Sequence, residues 1–120
     1  MTLTLYGIKN CDTVRRARRW LQDHDRSHRY HDLREDGLPP STLTAWADQL
    51  GWEALINRRS ASWRQLSEEQ RSQLDRQRTL ELILAHPTLL RRPLLARGDD
   101  VLQGFAPEDY ARWLEQSDPS

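Results

Sequence analysis

Three features of the chain predict an α/β fold with strands at both ends and helices between. Thr2-Leu3-Thr4-Leu5-Tyr6 alternates polar and apolar residues and stops at Gly7, the pattern of a half-buried strand. From residue 12 to 24, Val14, Ala17 and Leu21 recur at helical spacing, while Arg15, Arg16, Arg18 and Arg19 fill much of the other face. Near the far end, Leu94-Leu95-Ala96 and Val101-Leu102-Gln103-Gly104-Phe105 flank the turn residues Arg97-Gly98-Asp99-Asp100, as a hairpin does.

The remaining elements fall between these. Arg29-Tyr30-His31-Asp32-Leu33 supplies a second strand, and so compact a strand-helix-strand unit implies a right-handed crossover onto a parallel neighbour. Gly37-Leu38-Pro39-Pro40 breaks the chain, and Ser41 is the expected N-cap of a helix carrying Leu43, Trp46, Ala47 and Leu50, stopped by Gly51. Residues 52–64 read as irregular or as short turns. Ser67-Glu68-Glu69-Gln70 has capping-box spacing and starts another helix. Thr79 to His86 is helical and Leu-rich, ended by Pro87. Ala106-Pro107-Glu108-Asp109 opens a last helix with Tyr110, Trp113 and Leu114 on one face. The order β-α-β, helices, β-β, α matches a thioredoxin-like fold, a mixed four-stranded sheet with a central helical insertion at about 38–90. One domain is expected over 1–116, with a frayed tail at 117–120.

Composition narrows the function classes. The 120 residues carry 18 basic and 18 acidic side chains, a formal net charge of zero that argues against wrapping nucleic acid by bulk electrostatics. Lys9 is the one lysine, so the other basic residues are arginines, an excess that genome base composition can also produce. A single cysteine rules out an intrachain disulfide. With no signal-peptide apolar region and no run long enough to cross a bilayer, a cytoplasmic, reducing setting is expected. His24, His28 and His31 straddle a helix end and a strand without a thiol or acidic partner at metal-like spacing, so no metal site is expected. Arg15, Arg16, Arg18 and Arg19 read as a solvated helix face rather than a nucleic-acid surface, since aromatic interleaving is missing.

The chemistry points to Cys11. It lies in Tyr6-Gly7-Ile8-Lys9-Asn10-Cys11-Asp12-Thr13, where a strand turns through Gly7 and delivers a thiol to the start of a helix. There, backbone N–H groups without intrahelical partners and the helix dipole favour an anion. Lys9 adds positive charge two residues away, Thr13 and the first-turn amides can donate hydrogen bonds, and Asp12 adds an opposing negative charge.

The segment 6–13, Gly51-Trp52-Glu53 with Asn57-Arg58, Trp63-Arg64, His86-Pro87 and Arg92-Pro93-Leu94-Leu95 together resemble the ArsC/Spx family, the arsenate reductase-like proteins, and most of all their YffB-like branch. The resemblance spans nearly the whole chain. It implies a thioredoxin-fold protein, without a tightly bound cofactor, whose reactive thiol is Cys11. Asn10, in the cysteine loop, is counted with the substrate-binding residues. Arg58 and Arg92 fall where two of the family's three oxyanion-holding arginines stand, with Arg59 and Arg64 ranked behind Arg58. Gly104 falls where the third would be, and Pro93 where a cis proline faces the cysteine. Gly7 replaces a histidine found in the family's arsenate reductases. Val14 replaces the second cysteine frequent in Spx-like regulators. The resemblance thus implies a monothiol oxidoreductase that takes a small-molecule or oxyanion substrate and uses glutathione or glutaredoxin as co-substrate. The alternatives are a non-catalytic regulator that binds RNA polymerase, as Spx proteins do, or a true arsenate reductase.

Overall fold

Leu3, Leu5 and Gly7 all point inward from the first strand, and this regular alternation makes residues Leu3–Gly7 (β1) the centre of the sheet. The structure, a computed structural model, describes residues 2–9 and 11–116, and the tail expected to fray lies outside them. The chain forms two units, one built from the chain up to Asp32 and from Arg92 onward, the other from Leu33–Arg91.

The first unit holds the sheet. β1 leads through the cysteine loop to α1 (Asp12–Asp23), which returns to β2 (His28–Asp32). β2 lies parallel to β1, with Leu3 opposite His28 and Gly7 opposite Asp32. β3 (Leu94–Arg97) runs antiparallel on the other side of β1, placing Leu94 opposite Tyr6, and β4 (Asp100–Gln103) closes the hairpin. The order β2-β1-β3-β4 is the mixed four-stranded sheet expected of a thioredoxin-like core. Its strands are each one residue or so displaced from the sequence reading, as strand ends commonly are.

One apolar cluster unites this unit. Leu5, Ala17, Leu21, Leu95 and Tyr110 are fully buried, with Leu3, Val14 and Leu114 nearly so. α7 (Pro107–Gln116) contributes Tyr110 and Leu114, and the Tyr110 hydroxyl donates to the Gly104 carbonyl at 3.0 Å. Burial pushes the Tyr110 phenol far above its ordinary range.

The second unit is helical, and its elements are short: α2 (Pro40–Leu50), α3 (Trp52–Leu55), α4 (Ala61–Gln65), α5 (Glu68–Ser72) and α6 (Arg76–Ala85), followed by a 3₁₀ turn at Pro87–Leu89. Three details depart from the sequence reading. α2 is N-capped by Pro39 rather than Ser41, because Pro40, with its fixed φ and missing N–H, takes the first helical turn. Residues 52–64 contain two helices, the second capped by Ser60, whose hydroxyl accepts from the Trp63 N–H at 3.1 Å. α6 begins before Thr79, where the Asp75 carboxylate accepts from the Arg78 N–H at 2.7 Å. The expected capping box is present, with the Ser67 hydroxyl and Gln70 side chain each taking the other's backbone N–H. An antiparallel bridge between Ile56 and Leu90 ties the ends of this unit together, reinforced by Asn57 N–H to the Leu89 carbonyl at 2.7 Å and Arg91 N–H to the Leu55 carbonyl at 2.8 Å.

Candidate thiol site

The strand register gathers four chain segments at one edge of the sheet. Gly7 at the end of β1 faces Asp32 at the end of β2, while Leu94 at the start of β3 faces Tyr6 and Gln103. The cysteine loop, Arg92-Pro93 and Gly104 all adjoin this edge. The Arg92–Pro93 peptide is cis, as the resemblance implies, and the Pro93 carbonyl accepts from the Gly104 N–H at 2.7 Å.

Cys11 is the N-cap of α1. Its backbone is extended, with φ −103° and ψ 118°, and its carbonyl accepts from the Arg15 N–H at 3.0 Å. No side chain caps this helix, so the amides of Asp12, Thr13 and Val14 open the first turn without an intrahelical acceptor. The thiol is partly buried and packs against the apolar cluster. Asp12 is exposed and pairs with Arg15 one turn on, so its negative charge is met locally.

The loop before Cys11 is held from several sides. A Cβ added to Gly7 would lie 2.7 and 2.8 Å from the two Val14 methyls and 3.4 Å from the Tyr30 ring, so only glycine fits this crossing. Ile8 is buried, and the Lys9 N–H donates to the Asp32 carboxylate at 3.1 Å. Tyr30 also donates to that carboxylate, at 3.4 Å, and carries the Arg18 guanidinium 4.5 Å above its ring. Burial first, then the charge of Asp32, raises the Tyr30 phenol; Arg18 opposes the rise and the charge of Cys11 adds to it. Tyr30 therefore stands within electrostatic reach of the thiol.

Among the expected site residues, Lys9, Thr13, Arg92 and Pro93 share the unit of Cys11, and Arg58 belongs to the helical unit. Lys9 is exposed, Thr13 and Arg92 are half-buried, and Asn10 lies outside the described residues. Arg58, with Arg59, Arg91, Asn57, Ile56 and Glu53, lines a cavity of about 410 Å³, its guanidinium 5.4 Å from the Trp63 ring. Arg64 instead donates to the Arg59 carbonyl at 3.3 Å.

The sequence reading missed Asp32, Tyr30 and Arg18. Arg15, Arg16 and Arg19 are exposed, as a solvated face requires, but Arg18 is half-buried against Tyr30. Its seven-residue spacing from Cys11, two helical turns, was the available signal. Gly104 has a φ of 88°, a left-handed conformation that an arginine at the missing third position would adopt only under strain. The histidines are engaged with neighbours: His24 stacks on Trp20 at 3.9 Å, His31 packs on Tyr6 at 4.8 Å, and His28 Nδ1 lies 3.3 Å from the Arg26 carbonyl. No set of three candidate ligands among the described residues is placed to hold a metal. Among the described residues no helix is long and apolar enough to cross a membrane.

A thioredoxin-like sheet with one cysteine at the first strand-to-helix turn and a cis proline just before β3 defines a class of thiol-bearing folds. Within that class the chain belongs to the ArsC family, whose model matches residues 6–113. It is 44% identical over 108 residues to an uncharacterized protein of Haemophilus influenzae, covering 90% of this chain and 95% of that one. The global transcriptional regulator Spx of Enterococcus faecalis is 32% identical over 114 residues, covering 93% and 86%. A solved structure of a YFFB protein superposes with a TM-score of 0.88 at 40% identity, over 92% of this chain and 97% of that one.

Proposed function

We propose that the protein is a glutathione-linked monothiol oxidoreductase in which Cys11 is the nucleophile. The observation that supports this most is the partly buried thiol at the N-terminus of α1, where no side chain caps the first-turn amides. In the reaction, the Cys11 thiolate attacks one sulfur of a disulfide between glutathione and a substrate thiol. A Cys11–glutathione disulfide forms and the substrate leaves as its thiolate. A second glutathione, or a glutaredoxin thiol, attacks this mixed disulfide and regenerates Cys11, so the substrate is reduced and the glutathione oxidised. An external thiol is required because the chain has no second cysteine.

The surrounding residues have separate roles. Amides of the first turn and Thr13 stabilise the sulfur charge, while Lys9 and Arg92 attract an anionic substrate. The backbone at Pro93, which leads into β3, is the surface against which a peptide co-substrate lies extended. A reducing, cytoplasmic setting suits this chemistry. Arsenate is a narrower substrate within the same reading, and Gly104 in place of the third arginine weighs against it.

The test is turnover of a glutathionylated substrate with reduced glutathione as donor. The wild type is expected to accelerate release of the substrate thiol and Cys11→Ser to abolish the acceleration. Equal rates in the two would overturn the reading. The identity with an Spx regulator supports a second reading, a regulator that contacts RNA polymerase, although Val14 stands where many Spx proteins have their second cysteine. Stoichiometric capture of RNA polymerase from extract by both the wild type and Cys11→Ser would favour it.

A further inference from the structure

Asp32 is a carboxylate that the proposed reaction leaves without a role, although it is only 3% exposed. A carboxylate so deeply buried must be held by donors, and those found here are specific. It accepts the backbone N–H of Lys9 at 3.1 Å and the hydroxyl of Tyr30 at 3.4 Å. Gly7 is its partner across the β1–β2 ladder. The loop that carries Cys11 is therefore anchored at its start by Gly7 beneath Val14 and Tyr30, next by buried Ile8, then by the Lys9 amide on Asp32. At its end the Cys11 carbonyl is fixed on the Arg15 amide. Of these anchors, Asp32 is the one charged side chain, and it is supplied by a different strand.

Tyr30 holds Asp32 in turn, and Arg18 packs on Tyr30. The phenol, kept neutral by burial and by neighbouring negative charge, remains a donor to the carboxylate. Arg18 sits on the ring face and brings positive charge beside the Tyr30–Asp32 pair. We propose that Asp32 is a positioning residue for the thiol: its carboxylate, through the Lys9 amide, sets the loop geometry that aims Cys11 at an incoming disulfide. The proposal rests on the reading of Cys11 as the nucleophile. A small misplacement of a reacting atom costs one to two orders of magnitude in rate, so loss of this anchor is visible kinetically even where the fold survives.

The experiment measures the second-order rate of Cys11 with oxidised glutathione, and separately with iodoacetamide, on the alkaline plateau where further rise in pH no longer raises the rate. Variants are Asp32→Asn, which keeps an acceptor oxygen of the same shape, and Asp32→Ser, which is too short to reach the Lys9 amide. Asp32→Ser is expected to react with oxidised glutathione about tenfold more slowly, and Asp32→Asn to stay within about threefold of the wild type. A residue needed only for stability lowers the melting temperature and leaves both plateau rates unchanged. That outcome, or an equal fall in both variants, overturns the proposal. Hydrogen exchange at the Lys9 amide of the wild type is a second measurement that does not depend on a variant folding. Protection is expected there, and exchange at the unprotected rate overturns the proposal too. If wild-type Cys11 reacts with neither reagent, it is the nucleophile reading that fails, whereas a reactive wild type matched by Asp32→Ser removes the positioning role alone.

Discussion

The sheet unit and the helical unit are stabilised in different ways. In the sheet unit, residues far apart in sequence meet in a defined register, and Leu5, Leu95 and Tyr110 share one buried cluster. The helical unit is a chain of short elements, four of them of five residues or fewer, that rely on local caps at Ser60, Ser67 and Asp75 and on buried leucines, with the single bridge between Ile56 and Leu90 among its described residues closing its ends. The unit with the long-range pairing is also the one that carries the thiol. Holding a loop to a productive geometry takes anchors from several strands, which caps within one segment do not provide.

The largest effect is expected where the sheet unit is most coupled. Leu95→Ala removes a fully buried side chain from β3 and is expected to destabilise by about 2–5 kcal/mol, measured by chemical denaturation. A loss below 1 kcal/mol would contradict the description of a shared cluster. Gly7→Ala comes next, at about 1–3 kcal/mol, because its Cβ meets the stiff Val14 side chain at 2.7 Å. It is also expected to slow the reaction of Cys11, which denaturation and alkylation assays together would show.

The helical unit is expected to respond more weakly. Ser67→Ala removes one half of the capping box and is expected to cost about 1 kcal/mol, with faster hydrogen exchange confined to α5. Exchange that rises across the β-strands as well would erase the distinction between the two units. The smallest effect has the opposite sign. Thr79 is fully buried and its hydroxyl has no hydrogen-bond partner, so Thr79→Val is expected to be neutral or to stabilise by up to about 1 kcal/mol. A clear loss of stability would mean the hydroxyl is satisfied in solution.

How far each region could be read from sequence follows the same division. β1 and α1 carry clear two- and 3.6-residue patterns because each packs one face on a common cluster, the final hairpin is marked by its turn residues, and the order of the three was enough to predict the sheet. Residues 52–64 were unreadable as helices because segments of four or five residues are too short to show a period. Ser41 was a sound N-cap candidate overtaken by Pro40, and Asp75 was overlooked because the Leu-rich pattern that marks α6 begins only at Leu80, five residues later. Within the site, Cys11 was legible from its turn and Pro93 from the resemblance. Asp32, Tyr30 and Arg18 were not, since their importance comes from the parallel pairing of β2 beside Gly7, a register that no local pattern reveals.

The central claim is that Cys11 is a reactive monothiol, and mass spectrometry of the intact folded protein after incubation with oxidised glutathione tests it most directly. The account predicts a single glutathionyl adduct on Cys11, removed by reduced glutathione and absent from Cys11→Ser. A folded protein that stays unmodified, while the same chain in denaturant forms the adduct, would contradict it.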